Sequence, residues 1–552
     1  MVSFWNQKKD DPDRPGSSRV RDDVYDRNIP ASEHEEPTER SRLLPQNNDQ
    51  GYLSPDDPAV SGSGFATMSL KDTNLVQVSP YNLWSVRAMR GLSLLALAAS
   101  FVWWTFLLVS IFVSPPLMHS RGSGFFAFAY ITLTTGYLAL GLLFFAVPSK
   151  PMTICGIILV ILLLIDMSII VGVPQIRFEE GWVGIASVVW ALVISAYQIL
   201  QNQVVTRGKR EEEERLTGRE ETRRSLREWL AVLLEIIILT VMTVATLLFT
   251  ATLILRARDA SLEPVGKQYS VHGDTYRVHL ACVGNRTADP DEPTILLEGD
   301  YGPVEHTLQP FIDDAYQYGA ISRYCYWDRP GFGWSDNAPS PHSAGMSADV
   351  LSEALALAGE SGPWVVVSAG VGSLYSRLFA SRHLLEVSGI FLIDPLHEAY
   401  LADIGQPNRG FILWLRGILS PLGLDRLAGA LFRGRTREDR VIGGSAYQTG
   451  KFIKAKLQEN LVAVTMTSAE VQSARHIQMG ETPLIVVSSG REMRADSEWA
   501  KRQEDLSHIT NKLLSWEVVH DAPHEVWTDG EGRQVLESQL KKIVRASRQH
   551  KS

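Results

Sequence analysis

The chain has 552 residues, with 62 acidic and 53 basic side chains and a net charge of −9. Its basic residues are scattered, so no nucleic acid is expected as a partner. Three cysteines exclude a disulfide-stapled scaffold, and the mean hydropathy of −0.03 averages over three unlike blocks that have to be read apart.

Residues 1–78 are rich in Asp, Glu, Arg, Pro, Ser and Asn with few apolar runs, and are expected to form a disordered tail. The first 30 residues hold no apolar core of signal-peptide length. Within the tail, Glu39-Arg40-Ser41-Arg42-Leu43-Leu44 looks like the acidic dileucine signals that cytosolic sorting adaptors read in cargo bound for vacuoles or lysosomes. Glu39, Leu43 and Leu44 would be its reading points.

Residues 85–257 carry five apolar runs long enough to cross a hydrocarbon core of about 30 Å. They lie at 91–114, 125–147, 152–173, 182–201 and 229–255, making the lipid bilayer the first expected partner. A charged loop follows the fourth run over residues 206–228 and reads as a solvated helix with internal ion pairs. Arg87, Arg90, Lys150 and the loop's many arginines fall on one side of the spans, against Arg121, Arg177, Arg256 and Arg258 on the other. The positive-inside rule then predicts a cytosolic N-terminus and a lumenal C-terminal domain. Asn285-Arg286-Thr287 is a glycosylation acceptor that agrees with this side. Asp166 and Glu235 sit inside apolar runs, where an acid marks either a pairing or a pathway.

From residue 266 to 548 short β-rich runs alternate with helical stretches, the pattern of a doubly wound α/β sheet. Strands are predicted at 276–283, 294–297, 322–327, 364–367, 389–393, 483–487 and 514–519. Cys282 and Cys325 fall in two of them and read as buried reduced thiols rather than a cross-strand disulfide.

Asp328-Arg329-Pro330-Gly331-Phe332-Gly333-Trp334-Ser335-Asp336, Leu297-Glu298-Gly299-Asp300-Tyr301-Gly302 and Pro523-His524-Glu525 together resemble the α/β-hydrolase superfamily over nearly all of this region. The resemblance implies an oxyanion loop around Gly302, completed by Val371, and a helical lid at about 400–475. It also implies a catalytic histidine at His524 and a triad acid at Asp394, with Asp496 the alternative. It implies neither a metal nor a cofactor.

The nucleophile elbow of that fold requires small residues two before and two after the nucleophile. Only one register of Ser368-Ala369-Gly370-Val371-Gly372 meets this rule, and it puts Gly370 at the nucleophile position. Centring on Ser368 or Ser373 places valine or tyrosine at a flank, which leaves Ser368 as a substitute nucleophile only by breaking the rule. The expected protein is therefore a membrane-anchored pseudo-hydrolase that binds or scaffolds. The alternatives are an active serine-type hydrolase of lipids, esters or peptides, with a lipid or small ester as ligand, and a transporter.

Overall fold

The structure, a computed structural model, describes residues 83–116, 118, 120–217, 226–286, 292–477 and 480–550. The expected tail disorder and the Glu39, Leu43 and Leu44 signal lie outside them.

Among the described residues, five helices form the membrane region: α1 (Trp84–Phe112), α2 (Phe125–Leu143), α3 (Lys150–Gly172), α4 (Pro174–Thr217) and α5 (Leu226–Asp259). Each contains a window apolar enough to cross a bilayer. Large apolar side chains such as Leu95, Phe106, Ile161 and Val241 stay exposed on their outer faces, as lipid-facing surfaces do. α4 extends well beyond its apolar run in both directions and is broken at Gly181, whose φ of 59° is not helical. Asp166 is fully buried and accepts a hydrogen bond from Tyr130 Oη at 3.0 Å, and Glu235 is buried as well.

The second region runs through β1 (Lys267–Val271), β2 (Tyr276–Val283), β3 (Thr294–Glu298), α6 (Gln309–Gln317), β4 (Tyr324–Trp327), α7 (Ala344–Ala358), β5 (Trp364–Ala369), α8 (Gly372–Arg382) and β6 (Val387–Ile393). An insert of short helices follows: α9 (Leu401–Ile404), α10 (Pro407–Leu419), α11 (Leu424–Phe432), α12 (Arg437–Val441), α13 (Gly450–Val462) and α14 (Ser468–His476). The chain then returns through β7 (Leu484–Ser489), α15 (Gly490–Ala495), α16 (Ser497–Ser507), β8 (Leu513–Val519) and α17 (Gly530–His550).

The strands form one sheet in the order β1-β2-β4-β3-β5-β6-β7-β8, antiparallel at β1-β2-β4 and parallel from there on. Together with the insert after β6, this is the α/β-hydrolase fold. Every residue of β3, β5, β6 and β7 is buried, because helices cover both faces, so these strands read as continuous apolar runs. β1 escapes the sequence reading because it is an edge strand with one buried residue, Val271.

Cys282 and Cys325 stand directly opposite each other in the β2-β4 ladder and form a disulfide, which corrects the expectation of reduced thiols. The sequence places both in strands but does not give the register that makes them neighbours.

The α/β region is seated on the span ends by polar contacts. Ser114 N donates to Ser340 O at 2.9 Å, Asn337 N to Arg121 O at 2.7 Å, and Arg121 Nε to Thr275 O at 2.9 Å. Asp259, at the end of α5, is gripped by Arg426 and Arg440 of the insert, and Glu179 of α4 pairs with Arg256 at 2.6 Å and Lys451 at 3.3 Å. Lys454 Nζ donates to Ile111 O in the last turn of α1, where a helix terminus has unpaired carbonyls. Removing one member of a buried ion pair strands its partner and costs about 3–5 kcal/mol. Asp259→Ala is therefore expected to lower the unfolding temperature of the detergent-solubilised protein clearly, whereas Asp349→Ala, which removes an exposed partner of Arg382, should leave it nearly unchanged.

Candidate active site

β5 ends at Ala369, Gly370 turns the chain with φ 46°, and α8 begins at Gly372. This is the strand-turn-helix geometry of an elbow. A Cβ on Gly372 would lie 2.2 Å from Gly299 O, which is the steric reason for a small residue at that flank.

At Gly370 the place of a side chain is taken. A Cβ there would lie 1.9 Å from Asp300 Oδ1. Asp300 follows β3 in the oxyanion loop and its carboxylate reaches across: Oδ1 accepts the Val371 N–H at 2.9 Å and Oδ2 faces His524 Nε2 at 3.1 Å. The Val371 N–H is one of the two backbone donors with which this fold stabilises an oxyanion, and here it is already bonded to a carboxylate. Arg329 holds the loop by donating to Asp300 O.

On its other side His524 Nδ1 meets Asp394 Oδ2 at 2.6 Å. Asp394 is fully buried and also accepts from Ser489 N at 3.0 Å and Trp499 Nε1 at 3.2 Å. Asp496 is elsewhere, capping α16 through Glu498 N. Ser368 is fully buried, its hydroxyl 2.7 Å from Ser376 Oγ, and Ser373 donates to Gly370 O at 2.7 Å. The structure thus brings together His524, Asp394, Gly370, Val371 and Asp300. Ser368 faces into the fold. Gly302 lies under Tyr447 of the insert, which leaves no room for a Cβ.

The insert closes the site with charge as well as with rings. Lys456 Nζ sits 3.8 Å above the Tyr301 ring and 2.8 Å from Glu459 Oε2, and Arg329 faces both Glu298 and Glu459. Burial pushes Lys456 down to about 8 and Glu298 up to about 7. A cavity of about 20 Å³ borders Val371, Tyr375 and Glu459, enough for a water or two.

Flanked by two carboxylates, His524 is driven upward. Burial works against its charge, but the hydrogen bonds and charges of Asp300 and Asp394 raise it to about 10. Asp300 is pushed up by burial, yet the His524 contacts, the Val371 N–H and Lys456 hold it below its ordinary value. Near neutral pH the site holds an imidazolium between two carboxylates, the protonation state opposite to that of a general base. Asp300 is the residue that sequence reading missed. Its signal was an acid in the oxyanion loop of a chain whose elbow is glycine.

Among known proteins, residues 37–282 match a family model described as a region of unknown function, DUF2417. An uncharacterized protein of Schizosaccharomyces pombe is 32% identical over 504 residues, covering 86% of this chain and 93% of that one. The chain belongs to that protein's family. An uncharacterized vacuolar membrane protein of Saccharomyces cerevisiae is 26% identical over 318 residues, 49% of each chain. Among solved structures, Cfl2 of Burkholderia cenocepacia (16% identity, 50% of this chain and 94% of that one, TM-score 0.36) and mouse alpha/beta hydrolase domain-containing protein 10 (11%, 50% and 98%, 0.33) are similar. The fold assignment rests on the strand order and insert described above.

A raised histidine stabilises the fold fully below its unfolded value near 6.5, and that contribution fades as pH rises to about 10. The stability difference between the natural protein and Asp300→Asn should therefore be large at pH 6 and shrink toward pH 10. The His524 ring resonance, followed by NMR in selectively labelled protein, should titrate well above 8; a midpoint near 6.5 would contradict the charged-histidine geometry.

Proposed function

We propose that this protein is a membrane-integral α/β-hydrolase-fold protein with impaired catalysis, acting as a binding or scaffolding module at the lumenal face of a vacuole-type membrane. The observation that carries this reading is the Asp300 carboxylate, which fills the nucleophile's place, bonds the Val371 N–H and pairs with His524. Without an oxygen or sulfur at residue 370 the acyl-transfer scheme lacks its first atom, and a charged His524 takes no proton from water. The vacuole enters through the name of the Saccharomyces cerevisiae relative. The lumenal side is supported by the distribution of Lys and Arg about the spans, by a disulfide, which persists in oxidising compartments, and by the exposure of Asn285. Asn285 is on this reading a glycan site, a lipid or small ester is the ligand class suited to the fold, and sorting adaptors are the partners of the tail. One feature favours a second reading, an active hydrolase: the Asp394-His524 hydrogen bond is kept intact.

A fluorophosphonate probe separates the two. The natural protein should remain unlabelled, and labelling that disappears in Ser368→Ala or Ser373→Ala would sink the proposal. Gly370→Ser alone should also stay inert, because its Cβ would collide with Asp300. Gly370→Ser with Asp300→Ala removes the collision, frees the Val371 N–H and should gain labelling and measurable ester turnover. For the topology, glycosidase treatment is expected to shift the natural protein on a gel but leave Asn285→Gln unmoved. An unglycosylated chain whose α/β region is cut by protease from the cytosolic side would reverse the orientation.

A further inference from the structure

The insert carries an apolar surface that the site does not use. On α10, Phe411, Ile412, Leu415 and Leu419 are exposed, while Gly410, Leu413 and Gly417 on the opposite face are buried. On α11 the usual order is inverted: Leu424, Leu431 and Phe432 point outward, Phe432 with 85% of its surface exposed, and Arg426 is turned inward onto Asp259. With Arg426 inside, Leu424, Leu431 and Phe432 outside and Asp425 exposed at its first turn, α11 is mispatterned for water and patterned for an interface with lipid.

The position of these helices says where that lipid would lie. The buried side of α10 packs on the span ends, with Leu413 joining Leu107, Ile111, Phe125, Phe128 and Ile131 in one cluster. Gly417 lies so close to Phe125, the first residue of α2, that a Cβ would sit 2.1 Å from its ring, and Gly423 approaches Thr252 of α5 equally closely. The outward faces of α10 and α11 are therefore continuous with the lipid-facing surfaces of the spans, at the depth where the spans end. Arg416, in the last turn of α10, and Arg433, just after α11, are both exposed, as basic side chains that meet phosphate headgroups would be.

We infer that α10 and α11 are immersed in the leaflet on the side of the α/β region, so that the insert whose α13 closes the hydrolase-like site is itself anchored in the membrane. The occupant of this surface is the bilayer. The inference is independent of whether the site turns over and of which compartment that leaflet faces.

The test uses the full chain with Cys155→Ser, reconstituted in phosphatidylcholine vesicles. Single cysteines replace Phe411, Leu415 or Phe432, or, as controls in the loops after α6 and α8, Tyr318 or Leu385, which are 83% and 91% exposed. Each carries an environment-sensitive fluorophore. Lipids with a quencher on the acyl chain should dim the three insert probes by about twofold or more and leave the controls unchanged, with iodide in the aqueous phase doing the reverse. Insert probes quenched no more than the controls would overturn the inference. So would efficient disulfide cross-linking between chains of the unlabelled Phe411→Cys or Phe432→Cys variant in dilute vesicles, which would assign the surface to a second copy.

Discussion

The carboxylate of Asp300 and the missing side chain of Gly370 occupy one volume, and the arrangement around them follows from that. Only glycine leaves room for the carboxylate. A carboxylate buried there needs donors and a cation, which the Val371 N–H and His524 supply. His524 is held charged from both sides, by Asp300 on Nε2 and by Asp394 on Nδ1. Asp394 is held in turn by Ser489 and Trp499. Any side chain at residue 370 would unseat the whole chain of pairings at its first member.

The same accounting of charge explains why the interior of the site is closed. Ligand pockets are mostly apolar and contain few convergent polar groups. Here Glu298, Arg329, Lys456 and Glu459 fill the space in front of the elbow with paired charges. Each charge is tolerable because a partner lies within reach: Glu298 beside Arg329, Lys456 beside Glu459, with Arg329 and Glu459 linking the two pairs across the insert. An open state would expose Lys456 and Glu459 to water and leave Arg329 and Asp300 to find it too.

Much of this was legible beforehand, and the gaps have physical reasons. The five apolar runs and the central strands declared themselves because both depend on continuous local hydrophobicity. Motif and steric rule point to Gly370 and His524, and the resemblance points to Asp394, since Ser488-Ser489-Gly490-Arg491 offers no acid directly after β7. What failed was whatever depends on register or on side chains crossing between loops. The Cys282-Cys325 pairing is set by strand alignment. The role of Asp300 is set by two loops meeting over the bare Cα of Gly370, which no single segment reveals.

α13 joins these two halves of the molecule. One face carries Lys451, Ile453, Lys454 and Leu457, which engage Glu179, the α1 terminus and the cluster at the span ends. The other carries Phe452, Lys456 and Glu459, which stand over Tyr301 and Arg329 at the site. Burial brings Lys454 down to about 7, so its grip on the last turn of α1 as a cation is strongest in acid. The contacts that hold the span ends and the charges that close the site therefore lie on two faces of one helix.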